Sequence, residues 1–229
     1  MQKKWFPLLT LCWLFLPIFA AHAAPILDQH YEPVPGYSVG TVGYNNWAQT
    51  FTPAATGSLT QVDLFISRDS GNSGSLGGDL LFDVRPVETN GLPVFADTSA
   101  LVSVRVPFEQ VPIILNSGDW FTVDLSFSGL TVNAGEKYAM VLRAEDPLAP
   151  GGDFDWYGKS GTRSTGPYGG GEMYFSNPAN YDYWFVPTFK SAQGFRTYVD
   201  ASATVPEPAS LILLSSGLFG LMVLKSTRK

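Results

Sequence analysis

From residue 59 to 67 apolar and polar positions alternate: Val62, Leu64 and Ile66 fall on one side, and Gln61, Asp63 and Ser67 on the other. Successive strand residues point to opposite faces, so this run predicts a strand with one buried face. The same period recurs at 80–85, 101–106, 120–127, 138–143 and 195–199, with shorter runs at 49–51, 154–157, 173–175 and 184–186. Between these runs stand Ser70-Gly71-Asn72-Ser73-Gly74, Asn90-Gly91-Leu92-Pro93, Asn116-Ser117-Gly118 and Asn133-Ala134-Gly135. Glycine turns the chain through its free φ and asparagine through local hydrogen bonds, so each is a turn signal. No segment of the body longer than ten residues holds a helical period without glycine or proline. Eight to ten strands joined by such turns predict an all-β fold, an antiparallel β-sandwich of jelly-roll-like form. The absence of a fixed repeat argues against a propeller or solenoid.

The two ends depart from this pattern. Lys3 and Lys4 precede an apolar run from Trp5, and Ala21-His22-Ala23 places small residues at both positions an export peptidase reads. Residues 1–23 therefore read as a signal peptide cleaved after Ala23. At the other end Ala209 to Leu224 makes sixteen uncharged residues, followed by Lys225, Arg228 and Lys229. A helix of that length reaches about 24 Å against a hydrocarbon core of about 30 Å. With local thinning and snorkelling lysines it predicts a transmembrane helix over 209–224, and the basic cluster places the C-terminus in the cytoplasm. The layout is then a signal peptide, an irregular leader over 24–43, a β-sandwich over 44–202 and a terminal segment over 203–229.

Composition removes several kinds of chemistry. The single cysteine, Cys12, lies inside the signal, and the exported chain keeps one histidine, His30, among Tyr31, Glu32 and Pro33. Disulfides, zinc thiolates and Cys/His nucleophile pairs are excluded by this inventory. Once the five basic residues and one acid of the ends are set aside, the body holds nine basic and nineteen acidic residues, a net charge of −10. Such a body offers nucleic acid no footprint, though it attracts divalent cations. Ser73 and Ser164 lack the glycines of a nucleophile elbow, and no glycine-rich loop leads into Lys-Ser or Lys-Thr at phosphate-binding spacing.

The order Val205-Pro206-Glu207-Pro208, apolar helix, basic tail resembles the PEP-CTERM sorting signal of exopolysaccharide-producing Gram-negative bacteria. The tail reads Lys-Ser-Thr-Arg-Lys where that family commonly carries a compact arginine run. The resemblance implies transient residence in the inner membrane, an exosortase-type processing enzyme as partner, and cleavage near Val205, Pro206, Glu207 and Pro208. Release to the cell surface or the medium would follow. Prolines at 206 and 208 hold the segment extended, as a peptidase at the membrane surface needs. Within the body, Gln49-Thr50-Phe51-Thr52-Pro53, Leu59-Thr60-Gln61-Val62-Asp63-Leu64, Asn90-Gly91-Leu92-Pro93, 130–139 and Phe195-Arg196-Thr197-Tyr198-Val199 are together similar to the choice-of-anchor family of bacterial surface domains, most nearly type R. That likeness implies a β-sandwich and carries no catalytic residues.

Two stretches hold candidate chemistry. In Gly151-Gly152-Asp153-Phe154-Asp155-Trp156 alternation puts Asp153 and Asp155 on one face. Such a pair could hold calcium or, with Glu172, serve a two-carboxylate glycan hydrolase; it could equally be a solvated sheet edge. From Tyr168 to Phe189 eight aromatic residues lie among Gly169-Gly170-Gly171 and Asn177-Pro178. Sugar C–H faces pack on rings while amides and carboxylates bind hydroxyls, which makes Tyr181 and Tyr183, beside Asn180 and Asp182, a candidate glycan site. The flanking strand pattern assigns Trp184 and Phe185 to the core. The expectation is an exported, non-enzymatic surface protein without an obligatory cofactor, associated with exopolysaccharide in a structural or adhesive role. A glycan hydrolase and a ligand-free sorting cargo are the alternatives.

Overall fold

A computed structural model describes residues 24–33, 38–43, 45–68, 78–113, 119–145, 154–162, 166–177, 183–188 and 190–201. The alternation at 59–67 becomes the longest strand, β4 (Gly57–Arg68), preceded by β1 (Ile26–Tyr31), β2 (Ser38–Val42) and β3 (Asn46–Phe51). Then come β5 (Leu80–Pro86), β6 (Val102–Val106), β7 (Asp119–Asp124), β8 (Thr131–Val132) and β9 (Tyr138–Ala144). The series ends with β10 (Phe154–Ser160), β11 (Met173–Ser176), β12 (Ser191–Gln193) and β13 (Phe195–Asp200). Two antiparallel sheets result. An eight-stranded sheet runs β1-β13-β4-β10-β12, with β2 on β10 and both β7 and β8 on β4; a five-stranded sheet runs β11-β3-β9-β5-β6. The length of β4 explains its many neighbours: one edge serves β13 at Ser58–Leu64 and β10 at Ile66–Arg68, while β7 and β8 take the other.

The predicted sandwich is therefore present, and its core is the one the alternation marks. Val62, Leu64 and Ile66 of β4 meet Phe82 and Val84 of β5, Met140 and Leu142 of β9, Phe154 and Trp156 of β10, and Phe195 of β13, all fully buried. Each large apolar side chain so placed contributes roughly 1.5–3 kcal/mol. Trp156 also satisfies its polar atom, donating from Nε1 to the Gly194 carbonyl at 2.9 Å. Gly158 in β10 is required by close approach, since a Cβ there would lie 2.2 Å from the Ala192 carbonyl oxygen.

Three sequence expectations need correction. The leader over 24–43 is not irregular, because it supplies β1 and β2. Period two is broken in β1 by a register shift between Leu27 and Gln29, where the Asp28 carboxylate turns to accept the amides of Ala54 and Ala55 at 3.0 and 2.9 Å. A bulge of this kind hides a strand from an alternation search. The 120–127 run ends early, at Asp124, whose carboxylate accepts the Ser126 amide at 2.9 Å and draws the chain into a turn. Residues 184–186 form only a single bridge, Phe185 with Phe175.

The outer face of the five-stranded sheet is covered. Ala48, Ala139, Val141, Tyr174 and Trp184 form a second apolar cluster there, capped by Val87, Leu92 and Phe95 from the connection between β5 and β6. Beside it Asp83, fully buried, accepts from Arg85 (Nη2 at 2.5 Å, Nε at 3.1 Å), Arg143 Nε at 3.1 Å and Ser103 Oγ at 2.6 Å. Asp97, placed by a 3-10 turn over Asp97–Ser99, bridges the two guanidinium groups from the covering side at 2.7 and 2.9 Å.

Candidate functional site

The aromatic segment resolves into a ladder of rings at the β11 edge of the five-stranded sheet. Register places Phe175 of β11 beside Trp47 of β3, with ring centroids 5.5 Å apart. Phe185 exchanges both backbone hydrogen bonds with Phe175 and stacks on its ring at 5.3 Å and 18°. Tyr183 lies on Phe185 at 4.7 Å and leaves half of its surface, 51 %, exposed. At the far end Trp47 Nε1 donates to the Thr41 carbonyl at 2.7 Å. Trp184 points the other way, into the second apolar cluster, edge-on to Phe95 at 5.7 Å. Extended chain from 183 to 185 thus sends two rings to the ladder and one to the covered face, which agrees with a core role for Trp184 and ties Phe185 to the ladder. Of the sequence-predicted glycan residues Tyr183 belongs to this array; Asn180, Tyr181 and Asp182 lie outside the described residues.

At the opposite end of β3 the glycine-rich stretch 166–172 lines a cleft of about 530 Å³ with Thr52, Lys137 and Lys190. Its floor is pinned to β3. Thr52 Oγ1 donates to the Gly170 carbonyl at 3.0 Å, the Glu172 amide donates to Thr50 Oγ1 at 2.8 Å, and the Thr50 amide donates to the Glu172 carbonyl at 2.9 Å. Only glycine fits at 171, where a Cβ would stand 1.9 Å from the Thr50 carbonyl oxygen. Tyr168 forms a fixed wall: its hydroxyl donates to Gln29 Oε1 at 2.8 Å and its ring meets Phe195 edge-on at 5.2 Å. Burial pushes the Tyr168 phenol up to about 12. Glu172 forms an ion pair with Lys190, while the Tyr174 hydroxyl beneath it, 3.4 Å away, is likewise pushed up to about 12, first by burial and then by the glutamate's charge.

Of the predicted carboxylates, the two that are described, Asp155 and Glu172, lie apart. Asp155 stands on the face of β10 opposite Phe154 and Trp156, where Thr41 Oγ1 donates to it at 3.1 Å; Asp153 lies outside the described residues. Glu172 is held by Lys190, next to Ser191, which pairs with Ser160 at the far end of β10. Five residues of strand, about 17 Å, separate that end from Asp155. Among the described residues no three His, Cys, Asp or Glu side chains come close enough to hold a metal ion. Lys137 and Lys190 were not singled out from sequence; they lie far apart in the chain, and no local pattern joins them.

The sorting residues Val205, Pro206, Glu207 and Pro208, the signal-cleavage residues Ala21 and Ala23, and the expected helix over 209–224 fall outside the described residues. Among the described residues no helix is long and apolar enough to cross a membrane. The structure does show where the chain enters and leaves the body: Ile26 of β1 pairs with Val199 of β13, and Asp200 pairs with Ser58 at the start of β4. Entry, exit and the cleft share one pole. The ladder sits near the other, about 13 Å away along β3 from Phe51 to Trp47.

The family model of the PEP-CTERM protein-sorting motif matches residues 204–229. No curated protein matches the chain. The motif marks an exported protein, directed to the cell envelope by a signal that exosortases recognise.

Proposed function

We propose that the exported body acts at the exopolysaccharide layer as a structural or adhesive β-sandwich, binding glycan weakly through the Tyr183 end of the aromatic ladder. The observation that carries this reading is a row of four rings ending in a half-exposed tyrosine. A ring held from behind offers a flat face for sugar C–H groups at little ordering cost. The body's likeness to choice-of-anchor surface domains supports the same role. The separation of Asp155 from Glu172 and the pairing of Glu172 with Lys190 favour binding over hydrolysis, and no cofactor enters the reading.

Before release the protein resides in the inner membrane through 209–224, with Lys225, Arg228 and Lys229 on the cytoplasmic side. Exosortase cleavage near Pro206 to Pro208 then frees it. Intact mass measurement on culture supernatant is expected to give a species beginning near Ala24 and ending near residues 205 to 210. A species ending at Lys229 and confined to membranes would make the helix a permanent anchor. For the binding role, Tyr183→Ala is expected to abolish retention on the host's native exopolysaccharide without loss of folding. Unchanged retention would leave a sorting cargo with no ligand at the ladder.

A further inference from the structure

The body is strongly acidic, and its cations are mostly consumed within the fold. Arg85 and Arg143 are matched by Asp83 and Asp97, Arg105 by Asp79 and Glu145, and Arg196 by Glu32. The body has three lysines, Lys137, Lys159 and Lys190, and two of them line the cleft at the chain-exit pole. Lys137 is exposed and has no ion-pair partner among the described residues. Lys190 is opposed by one carboxylate, Glu172, so the lining carries a net positive charge in a protein that elsewhere repels anions.

The rest of the lining suits a sugar. Thr52 and the backbone of Gly169 to Gly171 offer hydrogen-bonding groups, Tyr168 forms a wall fixed by Gln29 and Phe195, and the volume of about 530 Å³ is that of a small-ligand site. Pinning of the floor by Thr50 and Thr52 leaves little to be ordered on binding. We infer that this cleft binds the carboxylate-bearing sugar of an acidic polysaccharide, a uronate residue, with Lys137 and Lys190 as the cationic partners of the carboxylate. Glu172 takes part as a brake: it competes with the ligand for Lys190 and keeps the affinity low. The inference rests on the glycan-binding reading for its ligand class, but it concerns a separate site.

Lys137 and Glu172 give opposite tests. The probe is sodium polygalacturonate, titrated by calorimetry into the full-length protein in mild detergent at low salt, with dextran as the neutral control. Lys137→Glu reverses an exposed charge that has no ion-pair partner among the described residues, and binding is expected to weaken by about tenfold or more. Glu172→Gln removes the competitor of Lys190 and is expected to tighten binding several-fold; a catalytic or ligand-bearing role for that carboxylate requires the reverse. Raising the salt should weaken the wild-type interaction, because an exposed charge contact is screened over about 10 Å at 0.1 M. Equal binding of dextran, or unchanged affinity in Lys137→Glu, would overturn the proposal. So would weaker binding in Glu172→Gln. Tyr183→Ala is expected to leave polygalacturonate binding intact. Its loss in that variant would transfer the site to the ladder and sink the cleft while sparing the wider glycan reading.

Discussion

On the outer face of the five-stranded sheet Asp83 is wholly buried and surrounded by charge, with two guanidinium groups and a hydroxyl upon it. On the outer face of the eight-stranded sheet Asp63 is 5 % exposed and its hydrogen bonds come from neutral donors, Gln61 Nε2 and Thr122 Oγ1, each at 2.8 Å, and the Tyr198 hydroxyl at 3.0 Å, with the cross-strand Arg196 charge nearby and no direct ion pair to it. The difference follows from what lies above. Residues 87–97 cover the first face and exclude water, so an ionised group there needs opposite charge at contact distance. Among the described residues no such cover lies over β7 on the second face, where Trp120 remains partly exposed between Phe65, at 5.1 Å, and the Arg196 guanidinium, 3.9 Å from its ring centroid. Here polar hydrogens fill the contact positions, and the Arg196 charge acts from across the strand pair without a direct ion pair. Strand alternation assigns both aspartates to an outer face and both are buried, but the cover decides which of them is held by direct ion pairs.

The sharpest way to break this comparison is Arg85→Met. It leaves Asp83 with one guanidinium beneath a dry cover and is expected to lower the unfolding free energy by about 3–5 kcal/mol in urea titration. A loss below 1 kcal/mol would mean that water reaches the site and that the two faces are alike. Tyr198→Phe on the open face removes one donor from Asp63 and is expected to cost about 2 kcal/mol, since that hydrogen bond ends on a charged acceptor. The covered face should also hold its phenol longer. Tyr174 is pushed up to about 12, whereas Tyr198 is raised by burial and by Asp63 to a smaller extent. In the unfolded chain a tyrosine releases its proton near 10, so a phenol that keeps it to about 12 makes stability fall as pH rises through that interval. Tyr174→Phe is expected to remove part of that alkaline loss, read as a flatter dependence of the denaturation midpoint on pH. The smallest effect lies at the acid side. Asp79, lowered by the Phe108 amide and by Arg105, and Asp124, lowered by Ser126, contribute stability above the ordinary carboxylate range that fades as pH falls through it. Asp124 is exposed and Asp79 partly so, and Asp79→Asn should shift the acid midpoint only slightly.

Much of the sandwich was legible because β4 and β13 alternate between buried and more exposed positions, whereas β5 and β9 are buried on both faces and are legible from their apolar content and the turn residues that bound them. What escaped was set by contacts distant in sequence. The strand β1 was hidden because Asp28 leaves the register to bind Ala54 and Ala55. Asp83 and Arg85 carry the pattern of a solvated face, and nothing local announces that the β5–β6 connection folds back over them. At the candidate sites, the strand pattern gave Trp184 and Phe185 one role, and the structure divides them: Trp184 enters the covered cluster and Phe185 joins Tyr183 in the ladder. Asp155, read beside Asp153 as one face of a strand, takes that face and is answered by Thr41, a residue 114 positions away. The cleft was invisible because its two lysines are placed by pairings distant in sequence: Lys137 precedes β9, which pairs with β3, and Lys190 precedes β12, which pairs with β10.

The chain-exit strand β13 lies between two neighbours, β1 on one side and β4 on the other, both antiparallel to it. Interstrand hydrogen bonds run perpendicular to the strands. If the body is tethered through its C-terminus and loaded at the ladder pole, tension runs along β13 and strains both ladders of bonds together in shear. A strand peeled sideways would lose them one at a time. The position of its last strand therefore gives this fold the geometry of a mechanical clamp, in which many weak bonds share one load.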